Sequence, residues 1–307
     1  MSERPNNGAP RVSIGLAVYN GENYLREAIA SFLEQTYGDF ELILSDNAST
    51  DATGDICREY AARDGRIRYV RQPRNMGAAW NQSEVMRLAR GEHFKLAAHD
   101  DLCRPEFLER CVAALDAHPE CVLAYTDTYE MPGGDTSFLI HWRDKDGLDT
   151  SLPTPSERFG ELIRGDQYGY RIYGLIRTTA LRRTALFGAY HAADHVLVAH
   201  LGLLGRFRHI PEKLFLSRLH PGQSIHLSFE PRRYAEWWGA HSRTGLMFPT
   251  WRYLKELLVV VLSTPLPPAE RARCLVHLAR WMRKKRRLLA VELFKLKPQT
   301  PSWDDPH

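Results

Sequence analysis

The sequence lacks the features that mark membrane-spanning and secreted proteins. A transmembrane helix needs about 18 or more consecutive apolar residues, whereas the longest apolar run here covers only residues 257–262. The first eleven residues are polar and contain no apolar core of a signal peptide. The five cysteines are odd in number and form no CxxC pair, a pattern typical of buried, reduced thiols. We therefore predict a cytoplasmic protein.

The composition indicates a globular chain with an uneven charge distribution. Of its 307 residues, 44% are hydrophobic and 25% are charged, enough for one large domain or one domain with an appendage. The net charge is only +4, but residues 251–297 contain twelve Lys/Arg and three Glu. The C-terminal segment is therefore strongly basic, and the rest of the chain is slightly acidic.

Alternating periodicities predict an α/β fold over the first 125 residues. Apolar runs that predict strands alternate with segments of helical spacing. Such alternation is typical of a mostly parallel, doubly wound sheet flanked by helices. The predicted strands are 12–18, 40–44, 67–70, 93–97 and 121–125, and the predicted helices are 21–35, 53–63, 77–89 and 106–117.

The pattern is less regular in the second half. Residues 131–158 are rich in Gly, Pro and Asp and predict a long loop. A helix is predicted over 194–204 and a short strand within 207–219. The composition changes near residue 231, and a proline-rich break separates two C-terminal helices, the last over 269–296.

These changes predict three units. We expect a flexible N-terminus over 1–11, an α/β domain over 12–228 and a basic helical region over 229–307.

Two adjacent carboxylates end one of the predicted strands. Asp100 and Asp101 follow strand 93–97, and open α/β sheets bind ligands at the carboxyl ends of their strands. Neighbouring carboxylates repel each other, and a hard cation such as Mg²⁺ or Mn²⁺ offsets that repulsion. The alternative is a solvated turn in which Asp101 caps the next helix.

Four segments in order give the sequence a family resemblance. They are VSIGLAVYNGENYLREAIASFLEQTY, FELILSDNASTD, NMGAAWNQSEVMRLARGEHFKL and AHDD. Together they resemble the family 2 glycosyltransferases, which use the Rossmann-like GT-A fold. The resemblance is strong to about Tyr125 and traceable to His220. It implies a GT-A domain with a C-terminal helical appendage, and an inverting transfer of sugar from a nucleotide-diphosphate donor.

The resemblance implies that a group of residues surrounds the nucleotide. Asp46 matches the acid that hydrogen-bonds the base, which favours uridine because a carboxylate can accept from the uracil N–H. Its alternative role is an Asx turn at a strand end. Val18 and Tyr19 match positions that pack on the base, where Tyr19 could stack or fill the core. Asn75 and Gly77 match a turn near the nucleotide.

The acidic pair matches the family's metal motif, with one departure. Asp101 is the predicted metal ligand, and Asp100 is expected to reach the ribose or share the metal. Ala98 replaces a frequent first Asp, which leaves open which carboxylate binds Mn²⁺ or Mg²⁺ directly. His220 matches a position that contacts metal or diphosphate, although it could be an ordinary loop histidine. Arg218 could pair with phosphate.

Asp194 matches the acid that activates the acceptor hydroxyl. It lies at the start of the predicted helix 194–204, so the alternative is a helix N-cap. We assign it as the general base, because a hydroxyl is a poor nucleophile until its proton is removed. Asp51 is expected to cap helix 53–63.

The basic C-terminal run has two interpretations. Residues 280–289 combine Lys/Arg with apolar residues and Trp281, which suits an anionic membrane surface. The alternative is a solvated helix face, and the run is too short to favour nucleic acid. Membrane contact would suit an enzyme of cell-surface polysaccharide or glycolipid synthesis with a glycan or lipid-linked acceptor.

Two other functions compete with metal-dependent glycosyl transfer. The departure at Ala98 allows a non-catalytic nucleotide-sugar or glycan-binding protein. A nucleotidyltransferase also pairs carboxylates with metal, but no basic, glycine-rich phosphate loop follows the first strand.

Overall fold

The structure, a computed structural model, describes residues 8–133, 140–142, 152–164, 170–223, 237–239 and 248–294. All five strands predicted in the first half are present, four of them within two residues of their predicted bounds. Long apolar runs give fully buried strands of a parallel sheet. The strands are β1 (Val12–Val18), β2 (Phe40–Asp46), β3 (Ile67–Arg71), β4 (His93–Ala97), β5 (Leu102–Cys103), β6 (Cys121–Pro132), β7 (Ile140–Trp142), β8 (Leu175–Arg177) and β9 (Arg206–Leu219).

The predicted helices of the first half are also present. The first starts four residues later than predicted, because Asn20 and Gly21 donate backbone N–H groups to Ser49 Oγ and Thr53 Oγ1, each at 2.9 Å. The helices are α1 (Leu25–Leu33), α2 (Thr53–Arg63), α3 (Ala78–Leu88), α4 (Phe107–Ala117), α5 (Pro155–Arg164), α6 (Thr178–Leu181), α7 (Ala193–Leu204), α8 (Pro249–Ser263), α9 (Pro268–Lys284) and α10 (Arg286–Phe294).

The described strands form one sheet in the order β3-β2-β1-β4-β8-β6-β9-β5, with β7 paired to β6. The first four are parallel, and β6 and β9 form a second parallel pair. β8 joins the two parallel groups in antiparallel orientation. The order reverses between β1 and β4, so the carboxyl ends of β1, β2 and β4 meet at one edge. The predicted fold class is confirmed.

Hydrophobic residues cover both faces of the sheet. One cluster joins the sheet to α1, α2 and α4, and the other joins it to α3, α5 and α7 and continues into α8 and α9. A close approach of α3 to the sheet depends on Gly15, where a Cβ atom would lie 2.7 Å from Val85 Cβ. All five cysteines are free and buried, as predicted.

The second half differs most from the sequence prediction. The strand predicted over 121–125 continues to Pro132, and the short strand predicted within 207–219 spans fourteen residues. Each is stabilised by the other over almost its whole length, a long-range pairing that local periodicity does not reveal. The loop predicted over 131–158 also contains β7 and the start of α5. Residues 134–139 and 143–151 lie outside the described residues, as do residues 1–7 and the predicted domain boundary near 228.

The C-terminal helices pack on α5 and α7. The proline-rich break is present, but the helix predicted over 269–296 is interrupted at Lys285. The interruption turns α10 so that the Glu292 carboxylate accepts the Thr250 backbone N–H at 3.0 Å. Trp281, expected at a membrane interface, is instead buried at 8% exposure and packs against Tyr253. Among the described helices, none is long and apolar enough to cross a bilayer.

Candidate functional site

The ends of β1 and β2 form the first part of the candidate site. Val18, the last residue of β1, is buried, whereas the next side chain, Tyr19, is 42% exposed. The Val18 carbonyl accepts the Asn47 backbone N–H at 2.9 Å, which ties the two strand ends together. The exposed Tyr19 ring is therefore available for stacking at this edge.

Asp46 ends β2 in a fully buried network. Its Oδ1 accepts the Ser49 backbone N–H at 2.7 Å, and its Oδ2 accepts the Tyr69 hydroxyl at 2.9 Å and Arg71 Nη1 at 2.6 Å. Both partners of Oδ2 come from β3, the neighbouring parallel strand. A buried carboxylate is tolerated when a cation and hydrogen bonds compensate its charge, and Asp46 has both.

Asn75 and Gly77 form a turn against the loop that follows β2. Asn75 Oδ1 accepts Asn47 Nδ2 at 2.8 Å and the Gly77 backbone N–H at 2.9 Å. Gly77 has a φ of +86°, and a Cβ there would lie 2.4 Å from Gly239 Cα. Both the left-handed backbone and the close packing require glycine at this position. The turn is therefore fixed beside Asp46. The family resemblance predicts a turn near the nucleotide at these residues.

Asp100 and His220 meet at the end of β4. The two residues are 120 apart in sequence, and Asp100 Oδ2 lies 3.0 Å from His220 Nε2. Their side chains are 17% and 10% exposed, so the contact borders solvent. The His220 ring also packs on Tyr24, with 4.8 Å between ring centroids. An imidazole nitrogen beside a carboxylate oxygen is a donor set that suits Mn²⁺.

Asp101 lies behind this contact and is only 7% exposed. Its Oδ1 accepts the Arg218 backbone N–H at 3.0 Å, and it also bonds the Ser217 side chain. Burial and the neighbouring Asp100 charge raise the pKa of Asp101 to about 8, against the smaller opposing effects of these hydrogen bonds and of Lys95. Two adjacent carboxylates with little counter-charge are expected to behave in this way. A divalent cation would lower that pKa.

Arg218 is engaged with the protein. Its Nε donates to the Asp100 carbonyl at 2.9 Å, and its Nη2 donates to Glu27 Oε2 at 2.6 Å. The guanidinium carbon lies 4.4 Å from the centre of the Tyr24 ring. Arg218 therefore anchors the end of β9 to α1 and to the acidic motif. Contact with a phosphate, as predicted for it, would require the Glu27 ion pair to open.

Asp194 is the second residue of α7. The alternative that it caps the helix is wrong, because Ala192 occupies the cap position and no side chain caps it. Ala192 has a φ of 61°, an uncommon conformation for alanine. The Asp194 carboxylate is 38% exposed and lies 4.0 Å from His195 Nε2. It therefore faces solvent at the helix N-terminus rather than an apolar pocket. At α2, in contrast, the Thr53 backbone N–H donates to Asp51 Oδ1 at 3.0 Å, although Ala52 occupies the cap position.

Tyr173 connects Asp194 with the acidic motif. Its pKa is raised well above the ordinary value, first by burial and then by the charges of Asp101, Asp100 and Asp194. Three carboxylates can act on one phenol only if all of them lie near it, because such effects decline over several ångströms. The Tyr173 ring also stacks on Phe215 of β9 at 5.2 Å. The charges of the predicted base and of the predicted metal motif thus both reach Tyr173.

Sequence reasoning missed several residues that build this site. Tyr69 and Arg71 compensate Asp46, and Tyr24 supports His220 and Arg218. Lys95 is fully buried beneath the acidic motif. The sequence did indicate the role of β3, because polar residues alternate with apolar ones there and the preceding strand ends in a carboxylate. No local signal points to Tyr24 or to Lys95.

The described residues contain no group of three or more His, Cys, Asp or Glu side chains that could hold a metal on its own. At the end of β4, the Asp100–His220 pair offers two protein ligands to a cation. Mg²⁺ and related ions are commonly held by one or two protein ligands together with substrate phosphates. Two protein ligands beside solvent fit a cation of that kind.

Comparisons with known proteins identify the family of the chain. The model of the family "Glycosyl transferase family 2" matches residues 13–190. The putative glycosyltransferase EpsE of Bacillus subtilis is 39% identical over 113 residues, which cover 36% of this chain and 41% of EpsE. Glycosyltransferase GlyG of Streptococcus pneumoniae is 28% identical over 134 residues, which cover 43% and 44% of the two chains. This chain therefore spans less than half the length of these relatives.

Solved structures share the fold. S. aureus TarS 1-349 in complex with UDP-GlcNAc has a TM-score of 0.68 at 17% identity, covering 94% of this chain and 76% of that one. The mannosyltransferase PcManGT from Pyrobaculum calidifontis, in complex with GDP-Man and Mn²⁺, has a TM-score of 0.51 at 17% identity, covering 94% and 87%.

Proposed function

The chain belongs to glycosyl transferase family 2, and we propose that it transfers a sugar from a nucleotide-diphosphate donor to an acceptor hydroxyl, with inversion. The observation that carries the proposal is the contact between Asp100 and His220 at the carboxyl edge of the sheet. Open α/β sheets bind their ligands at this edge. We propose a UDP-sugar as the donor, supported by the TarS structure, which was solved with UDP-GlcNAc.

We propose that the ends of β1 and β2 hold the nucleoside. Tyr19 offers an exposed ring for stacking on the base. The two bonds from Tyr69 and Arg71 use Asp46 Oδ2, whereas Oδ1 accepts only the Ser49 backbone N–H among the described contacts. A carboxylate oxygen has two lone pairs, so Oδ1 retains one for an N–H of the base. Because Asp46 is fully buried, that contact requires the loop after β2 to move.

We propose that Asp100 and His220 hold the divalent cation directly and that Asp101 stands behind them. The first two side chains border solvent, whereas Asp101 is committed to the Arg218 backbone and Ser217. When bound, Mn²⁺ or Mg²⁺ supplies Lewis-acid stabilisation of the charge on the departing diphosphate. This proposed division of roles gives direct metal contact to Asp100 rather than to Asp101.

Asp194 acts in this proposal as the general base. Its carboxylate Oδ atoms face solvent, where an acceptor hydroxyl can approach and hand over its proton. The acceptor oxygen then attacks the anomeric carbon from the side opposite the diphosphate, through an oxocarbenium-like transition state. One displacement of this kind inverts the configuration.

We propose a role in cell-surface polysaccharide or glycolipid synthesis, with a glycan or lipid-linked acceptor. The protein would work in the cytoplasm, peripherally at the inner face of the membrane. The basic composition of the C-terminal helices supports this location, because the cytoplasmic leaflet is anionic.

Nucleotide-dependent thermal stabilisation tests the donor site. A ligand that binds only the folded state raises the melting temperature by mass action. We expect one nucleoside diphosphate, UDP first, to stabilise the wild type only with Mn²⁺, and Asp100→Ala and Asp101→Ala to lose that effect. Asp55→Asn, an exposed change on α2, is the matched control. If no diphosphate stabilises the protein with any metal, the donor-site assignment is wrong.

Turnover separates an enzyme from a binding protein that has kept the fold. With the nucleotide identified, release of that nucleotide from its sugar conjugates should fall about 10²- to 10⁴-fold in Asp194→Asn, while nucleotide affinity is retained. A wild type that binds the donor but releases no nucleotide with any acceptor would support the binding-protein alternative.

A further inference from the structure

Exposed apolar side chains are concentrated on the C-terminal helices. In the described part of the chain, eleven large hydrophobic side chains are strongly exposed, and ten of them belong to α8, α9 and α10. Their exposures range from 37% for Leu258 to 85% for Phe294. Single exposed hydrophobic residues are ordinary, but a concentration of this kind marks an interaction site. We call the exposed side of these three helices the outer helical surface.

The part of this surface formed by α9 and α10 is basic, because its acidic residues are turned inward. Residues 268–294 contain eight Lys/Arg and two Glu. Glu270 accepts the Ser156 backbone N–H at 2.9 Å and Arg273 Nη1 at 2.6 Å, and Glu292 accepts the Thr250 backbone N–H at 3.0 Å. Both glutamates are therefore occupied in joining helices, and positive charge dominates on the outside.

Apolar and basic side chains alternate along α9. Val276, Arg280 and Arg283 follow one another at helical spacing on the exposed side. Leu275 and Met282 lie two turns apart beside them, at 38% and 37% exposure. Long basic side chains can extend past neighbouring apolar groups and keep their charges in water. Such a face can rest on an apolar layer that has an anionic border.

Helix α10 is even less covered. Of its apolar residues only Leu289 is fully buried, whereas Leu288, Val291 and Phe294 are 52%, 46% and 85% exposed. A nine-residue helix is marginal without packing on one face. Contact of these side chains with an apolar phase would stabilise it.

We infer that the outer helical surface docks on an anionic lipid bilayer. Charge complementarity favours lipid over a second copy, because a two-fold interface would bring the same basic clusters together. The exposed apolar residues favour lipid over nucleic acid, whose binding sites are mainly polar. Basic residues next to a bilayer are attracted by anionic headgroups, and apolar side chains insert at the boundary with the acyl chains.

The surface is joined to the candidate site by direct packing. Gly160 of α5 lies against the His277 ring of α9, where an added Cβ would be 2.4 Å from Cε1. Gly202 of α7 lies equally close to Leu162 of α5. Docking would therefore fix the position of α7, which carries Asp194, relative to the bilayer. The docking deepens the membrane location in the proposed function, but it does not depend on glycosyl transfer; only the positioning of Asp194 does.

Vesicle sedimentation of the whole chain tests the inference. We expect at least tenfold stronger partitioning to phosphatidylcholine vesicles with 30% phosphatidylglycerol than to pure phosphatidylcholine, weakening as NaCl is raised from 0.1 to 0.5 M. The triple variant Arg280→Gln, Arg283→Gln, Arg287→Gln should lose this binding. The variant Leu288→Ser, Val291→Ser should lose it too, although its charge is unchanged.

The matched control removes three arginines of similar exposure from α2 and α3, Arg58→Gln, Arg63→Gln and Arg87→Gln. It should bind vesicles as the wild type does. Equal loss in this control, equal binding to neutral vesicles, or no binding to any vesicle would overturn the inference. So would concentration-dependent dimerisation without vesicle binding, or equally tight binding to a DNA duplex. If the nucleotide stabilises every variant as it stabilises the wild type, the donor site is intact in all of them. The vesicle result is then independent of the donor site.

Discussion

The ends of β2 and β4 each bury a carboxylate, but the protein compensates the two in different ways. Asp46 at the end of β2 contacts a cation and a hydroxyl directly, through Arg71 and Tyr69. Asp101 after β4 receives the Arg218 backbone N–H and a Ser217 bond, with Asp100 beside it. The first charge is balanced within the protein, whereas burial and Asp100 raise the pKa of Asp101 to about 8.

This difference indicates different tasks for the two ends. A carboxylate with its own counter-charge can be fully formed before any ligand arrives, which suits a rigid support for a nucleoside. An acidic pair with little counter-charge is stabilised most by an external cation, which suits a metal motif. The two ends are therefore expected to respond in opposite directions when their carboxylates are neutralised.

Neutralising Asp46 should produce the largest loss of stability. In Asp46→Asn the amide loses the charge-assisted bonds from Arg71 and Tyr69 and places an N–H₂ among donors. Bonds to charged groups contribute about 1.5–3 kcal/mol each, so we expect the free energy of unfolding to fall by about 3 kcal/mol. Urea denaturation at pH 7 measures this. Asp55→Asn, whose side chain is 78% exposed, is the control and should change little. Equal losses in the two variants would mean that the buried network contributes nothing.

Neutralising Asp101 should instead raise the free energy of unfolding at high pH. Its folded pKa of about 8 lies above its ordinary value of 3.8, because burial and Asp100 oppose ionisation. The stability it contributes is full below pH 3.8 and is lost as pH rises through 8. Asp101→Asn should therefore be more stable than the wild type at pH 8.5, by a margin that is much smaller at pH 5.

Urea denaturation at the two pH values, with and without Mn²⁺ and UDP, measures this response. We expect the cation and the nucleotide to remove most of the wild-type deficit at pH 8.5. A wild type as stable as Asp101→Asn at both pH values would show that this carboxylate is already compensated, and the contrast with Asp46 would disappear.

The β2 end was easier to predict from sequence than the β4 end. The bounds of β1, β4 and α2 follow from continuous apolar runs and regular helical spacing, which are local properties. Asp46 was found because it ends such a run. The compensation of each carboxylate was not found, because it comes from β3 and β9 across the sheet.

Long-range pairing explains the remaining differences. β6 and β9 stabilise each other over more than ten residues, so polar positions such as Asp127 and Lys213 are held in strands that periodicity does not indicate. The contact between Asp100 and His220 spans 120 residues and could be proposed only from the family resemblance. Exposure is also a tertiary property, which is why Trp281 was misplaced at an interface.

Lys95 provides a finer test of the difference between Asp46 and Asp101. Its ammonium is fully buried, lies 4.9 Å from the ring centres of Phe107 and Phe215, and donates to the Leu96 carbonyl. Burial lowers its pKa, and its charge opposes the rise in the pKa of Asp101. A double-mutant cycle of Lys95→Met and Asp101→Asn at pH 8.5 should give a coupling of about 1 kcal/mol.

The matched cycle of Lys95→Met with Asp46→Asn should give a coupling near zero, because Arg71 already serves Asp46. Lys95→Met alone should not destabilise the fold, since an apolar side chain of similar size replaces a buried charge. Equal coupling in both cycles would mean that Lys95 acts on the whole sheet rather than on the acidic motif.

The smallest expected effect concerns the backbone after β2. Ala48 has a φ of 62°, a left-handed conformation that costs alanine about 1 kcal/mol. Its N–H donates to the Asp46 carbonyl at 2.8 Å, so this conformation turns the loop back over the buried carboxylate. Ala48→Gly removes the steric cost but increases the entropy of the unfolded chain, leaving a gain of about 0.5 kcal/mol. Thermal denaturation with Ala61→Gly, in the last turn of α2, as the control should show a small gain for the first and a loss for the second. A loss at both positions would mean that the loop tolerates alanine without strain, and that the β2 end is supported by its hydrogen bonds alone.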